Sequence, residues 1–92
     1  METLEDMRKS IDNIDNAIVA MFSERFKVTE RVGRYKAKNG LAAKDSNRES
    51  EQFKRINELA IHYGLDPEFA ESYLSAVIER VLRNHEELAR NT

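Results

Sequence analysis

Apolar residues recur in steps of three and four along the first third of the chain: Leu4, Met7, Ile11, Ile14, Ile18, Met21, then Val28, Val32 and Tyr35. This repeat, close to ~3.5 residues, predicts one amphipathic helix over about 3–38, roughly 50 Å long at 1.5 Å per residue. Asn39 and Gly40 stop it, since both residue types tolerate the left-handed conformation that ends helices. Phe53, Ile56, Leu59, Ala60 and Tyr63 form a second stripe, closed by Gly64, and predict a helix over 46–63. Its start is signalled twice: Ser46 with Glu49 three residues on reads as a capping box, and Asp45 as an alternative N-cap. Asp66, Pro67 and Glu68 open a third helix over about 67–89, carrying Phe69, Tyr73, Val77, Val81 and Leu88. There is no alternating strand pattern, so the expected class is all-α, in one domain spanning residues 1–92.

The unequal lengths carry a further implication. Helices of 18 and 23 residues cannot cover a seam of about 50 Å in a compact monomer. The seam needs a partner, and the simplest is the same helix from a second copy. An intertwined homodimer is the expectation, with a trimer or an extended coiled coil as alternatives. Gly33 falls inside the long helix, where glycine costs roughly 1 kcal/mol against alanine. Either something approaches the backbone closely there, or the glycine is a tolerated surface residue.

Arg25 stands where the seam should continue. Its stem can pack along the seam while the guanidinium reaches outward or pairs with Glu24 or Glu30. Alternatively it serves a ligand. Lys36 lies three turns further on and only about 20° around the helix, so both cations project from nearly one face. Arg8 lies about 25 Å from Arg25 along the axis and cannot share a pocket with it within one helix. Across a pair of antiparallel long helices, it can. Asp45, Arg48 and Glu49 surround the start of the second helix, as caps and dipole partners or as a guanidinium with two hydroxyl-accepting carboxylates. His85 lies on the face of Val81, one turn later.

Composition narrows the chemistry. With 15 Lys and Arg against 17 Asp and Glu, the net charge is −2, so bulk electrostatic attraction to nucleic acid is not expected. There is no cysteine, which excludes disulfides and thiolate chemistry, and His62 and His85 lack metal-ligand spacing. No apolar run reaches the ~18 residues of a membrane span, and the acidic start is unlike a signal peptide, so a cytoplasmic location is expected. Neither a metal nor a cofactor is expected. Several guanidinium and ammonium groups beside one or two carboxylates suit a small molecule bearing two or more carboxylates and a hydroxyl.

The segments MRKSIDNIDNAIVAMFSER, VGRYKAKNGL, DSNRE and GLDPEF, in this order, resemble the all-helical chorismate mutases over nearly the whole chain. The resemblance implies a domain-swapped homodimer of three-helix chains that converts chorismate to prephenate by a [3,3] rearrangement. It implies that Arg25 and Arg8 of the partner subunit hold the two substrate carboxylates. Lys36 would contact a carboxylate and the ether oxygen, Glu49 with Asp45 the ring hydroxyl, and Arg48 the carboxylate end. Two positions depart from the pattern: Val81 stands where a serine is common, and His85 where glutamine or glutamate donates to the ether oxygen. His85 is expected to take over that donation. Two alternatives share the fold, isochorismate pyruvate lyase and 4-amino-4-deoxychorismate mutase. A third is a non-catalytic dimerisation or regulatory module. Within 92 residues there is no room for a fused catalytic or allosteric domain, so regulation is expected to act through association.

Overall fold

The computed structural model describes residues 1–91 as three helices: α1 (Leu4–Lys38), α2 (Ser46–Tyr63) and α3 (Pro67–Arg90). No strand occurs among the described residues, and the class is all-α. Each helix begins on a side-chain cap. Thr3 and Asp6 form a reciprocal capping box on α1. Asp45 caps α2 by accepting from the Arg48 backbone N–H, and Asp66 caps α3 ahead of Pro67. Of the two starts signalled for α2, Asp45 is therefore the cap and Ser46 the first helical residue. At the end of α1 the left-handed residue is Gly40, at φ +66°, while Asn39 keeps φ −102°.

α3 packs against both α1 and α2, which do not pack against each other. Tyr73 packs against Phe22 in a tilted arrangement with ring centroids 5.6 Å apart, pinning α3 to α1. The Asn57 amide donates to Glu71 at 3.1 Å, pinning α2 to α3. The buried apolar set is small, comprising Ala60, Ala70, Leu74 and Val77. The expected α3 stripe is buried at Val77 and half-buried at Tyr73, Val81 and Leu88, but Phe69 at its start is exposed and its neighbour Ala70 is inside. A helix wedged between two others buries the face pointing at both, and small Ala70 permits the close approach.

The molecule measures 58 × 25 × 14 Å, with a radius of gyration of 16.7 Å. A compact chain of this length would have a radius near 12 Å. The excess comes from α1, whose seam remains uncovered: Leu4, Met7, Ile11, Ile14, Ile18, Met21, Val28, Val32 and Tyr35 are all exposed. What α3 covers is a different stripe of α1, formed by Phe22, Phe26, Thr29, Gly33 and Ala37. The apolar rhythm conceals this stripe, because Thr29 and Gly33 do not read as hydrophobic.

Candidate active site

Arg25 sits at the boundary between the two stripes of α1. It borders an apolar groove of about 870 Å³ that includes Ile18, Met21, Val28 and Phe69. It also borders a small cavity of about 70 Å³ on the α3 side, lined by charged and apolar side chains. Its break in the apolar rhythm thus has a geometric reason: the seam gives way to a cavity wall at this turn. Arg25 is half-buried, and no described residue pairs with its guanidinium.

The cavity draws on all three helices. α1 supplies Arg25, Thr29 and Lys36, each one or more turns apart on the same face. The connection and the first turns of α2 supply Ala43, Asp45, Arg48, Glu49 and Gln52. α3 closes it with Ile78, Val81, Leu82 and His85. Arg25, Lys36, Asp45, Arg48, Glu49, Val81 and His85 therefore line a single space. Arg8 does not: it is exposed on α1, about 25 Å from Arg25 along the axis.

Local hydrogen bonds hold these groups in place. Lys36 Nζ donates to the Ala43 carbonyl at 2.9 Å, fastening the connection back onto α1 and leaving two ammonium hydrogens unspent. Asp45 Oδ1 accepts from the Arg48 N–H at 3.1 Å, which fixes the guanidinium-bearing turn. Glu49 accepts from Lys44 at 3.2 and 3.3 Å. Lys44 is 61% exposed, so this pair is weak and leaves Glu49 available for another donor. Val81 contributes only surface.

His85 is the most buried polar residue of the cavity, at 5% exposure. Its Nε2 lies 2.8 Å from the Thr29 carbonyl on α1. Nδ1 is buried without a hydrogen-bond partner. Gly33 makes this contact possible, since a Cβ there would stand 2.5 Å from Cδ2 of His85 and 2.9 Å from Cδ1 of Leu88. Of the two explanations for this glycine, close approach is the one observed. Ala43, Gln52, Ile78 and Leu82 also share the cavity, and the sequence did not single them out. Gln52 lies three residues from Glu49, Ile78 three from Val81 and Leu82 three from His85, and that spacing was the available signal.

Among the described residues, no group of three or more His, Cys, Asp or Glu side chains could hold a metal ion. No described helix is long and apolar enough to cross a membrane. Three cations and two carboxylates converging between helices, with a histidine behind them, define a helical protein whose site handles a small anionic molecule through charge and hydrogen bonds.

The chain belongs to the chorismate mutase type II family, which residues 7–86 match. It is 38% identical over 72 residues to the bifunctional chorismate mutase/prephenate dehydratase of Aquifex aeolicus, a match covering 76% of this chain and 20% of that protein. It is 30% identical over 79 residues to the chorismate mutase of Methanocaldococcus jannaschii, covering 86% of this chain and 80% of that one. The T-protein of Haemophilus influenzae is 25% identical over 92 residues, all of this chain and 24% of that protein. The chain thus spans about a fifth to a quarter of two of these relatives and four-fifths of the third.

Proposed function

We propose that this chain converts chorismate to prephenate in a homodimer whose two equivalent sites each take Arg8 of the partner subunit. The observation that carries the reading is the convergence of Arg25, Lys36, Arg48, Asp45 and Glu49 on one cavity between helices. The exposed seam of α1 supports the dimer. So does the cavity's size, since about 70 Å³ is well short of the ~300 Å³ at which small-molecule pockets begin. Antiparallel pairing of the two long helices along that seam brings the partner's Arg8 toward the far half of α1.

In this reading Arg25 and the partner's Arg8 clamp the two substrate carboxylates, and Arg48 supports one of them. Fixing both ends selects the conformer in which the enolpyruvyl carbon lies over the ring, converting a rare approach into the bound one. The Glu49 carboxylate, with Asp45, accepts the ring hydroxyl. The reaction breaks one C–O bond while one C–C bond forms, so it requires no nucleophile or proton transfer. Negative charge grows on the ether oxygen as the C–O bond stretches. The Lys36 ammonium is already held by the Ala43 carbonyl and offers a remaining hydrogen to that oxygen. A donor preorganised in this way stabilises the transition state more than the ground state. His85 spends its Nε2 hydrogen on the Thr29 carbonyl and holds α3 against α1 at the wall of the same cavity.

Loss of chorismate absorbance on adding purified protein tests the proposal, with Lys36→Ala as the control. Removing the ammonium is expected to lower kcat by about 10²–10³ while the helical circular dichroism is retained. NMR of the product distinguishes prephenate from salicylate plus pyruvate. Either the latter pair or no turnover would sink the reading.

A further inference from the structure

We propose that Gln52 is a further substrate-binding residue of this site: its side-chain amide donates to the oxygen of the ring hydroxyl whose hydrogen Glu49 accepts. The inference rests on the reading above and adds one contact to it. Gln52 lies on α2, one turn after Glu49 and Arg48, so the three share a face of the helix. All three line the cavity. Gln52 is half-buried, and its amide makes no hydrogen bond to any described residue. Neither amide atom is closed off from solvent, since the buried side-chain atom without a partner belongs to His85.

The other polar groups of the cavity are committed elsewhere. His85 spends Nε2 on the Thr29 carbonyl, and its Nδ1 is shut away from solvent. The Thr29 hydroxyl donates to the Phe26 carbonyl at 3.2 Å. In the mutase reading Arg25, Arg48 and Lys36 serve the carboxylates and the ether oxygen. Asp45 and Glu49, as carboxylates, only accept. Among the described residues lining the cavity, Gln52 is the neutral donor left over.

A hydroxyl needs such a donor. It carries one hydrogen and two lone pairs, and carboxylates satisfy only the hydrogen. Once the substrate is enclosed its hydroxyl oxygen loses water, and an acceptor left unpaired there costs free energy that a neighbouring N–H recovers. Gln52 stands one turn from Glu49, which is the reach this second contact requires. The hydroxyl sits on a ring carbon that neither makes nor breaks a bond in the rearrangement. The contact is therefore equal in the ground and transition states, and it tightens binding without altering the chemical step.

The test is steady-state kinetics of the parent protein and Gln52→Met, which keeps the side chain's length and removes its amide. Two molecules are compared: chorismate, and its analogue with hydrogen in place of the ring hydroxyl, used as substrate or competitive inhibitor. With chorismate, KM should rise about three- to tenfold in Gln52→Met, the effect of losing one neutral hydrogen bond, with kcat unchanged. The analogue should bind both proteins equally. No change with chorismate overturns the inference. So does an equal loss with both molecules, which would put the amide on a carboxylate, or a loss confined to kcat, which would put it at the ether oxygen. Each of these leaves the mutase reading standing. Absence of chorismate turnover by the parent removes that reading and this inference with it. If Gln52→Met does not fold, NMR of the parent's Gln52 side-chain amide decides the matter. One amide proton should move downfield on adding prephenate, which retains the hydroxyl, and an unmoved signal overturns the inference.

Discussion

Gly33 on α1 and His85 on α3 fit together as notch and ring: a Cβ at residue 33 would stand 2.5 Å from Cδ2 and 3.0 Å from Nε2 of His85. Both residues are buried, and the Thr29 carbonyl one turn earlier accepts the Nε2 hydrogen at 2.8 Å. This pairing holds α3 against the half of α1 that carries Arg25 and Lys36.

Gly33→Ala tests the notch. Alanine gains up to about 1 kcal/mol in helix propensity. Forcing a methyl group against the imidazole and Leu88 costs about 1–3 kcal/mol, so the net effect is destabilising. The midpoint of urea unfolding should fall, and chorismate turnover should drop with it as His85 is displaced. A rise in that midpoint would show that the two helices have room to separate without loss.

Arg8 and Arg25 offer a test of the shared site. Arg8→Ala and Arg25→Ala are each expected to be nearly inactive. Co-refolding the two in equal amounts makes mixed dimers in which one site has both arginines and the other neither. With random pairing, about a quarter of the parent activity should return, because half the dimers are mixed and each has one intact site. No recovery, with mixed dimers verified by mass spectrometry, would exclude a contribution from the partner's Arg8.

The start of α1 should respond to acid through Asp6. Its carboxyl is held below the ordinary aspartate range, first by the backbone N–H of Thr3 and then by the Thr3 side chain. Because the folded value lies below the unfolded one, the contribution is complete above the unfolded value. It is lost as pH falls through the folded value. Amide exchange at residues 4–8 should therefore quicken as pH falls through that window, after correction for intrinsic rates. Asp6→Asn should remove this pH dependence. An unchanged response in the variant would assign the fraying to another group.

Much of the fold is legible in the sequence because local rules decide it. The three-four rhythm, Asp66-Pro67 and the sparse glycines define three helices, and no element competes with them. Capping at Asp45 rather than Ser46 was not decided by spacing, since both residues make suitable caps. The stripe of α1 facing α3 was also hidden: Thr29 and Gly33 bury there for shape and for a carbonyl contact, not for hydrophobicity.

The candidate site divides in the same way. The sequence by itself determined that Arg25 breaks an apolar seam, that Lys36 shares its face, and that Asp45, Arg48 and Glu49 cluster at a helix start. These are consequences of helical period and residue type. Only the tertiary structure decided that α3 closes these groups into one cavity, that Gly33 admits the His85 ring, and which imidazole nitrogen is spent on the Thr29 carbonyl. Those outcomes depend on how closely two helix backbones approach, which is set by side chains far apart in the chain and has no period to read.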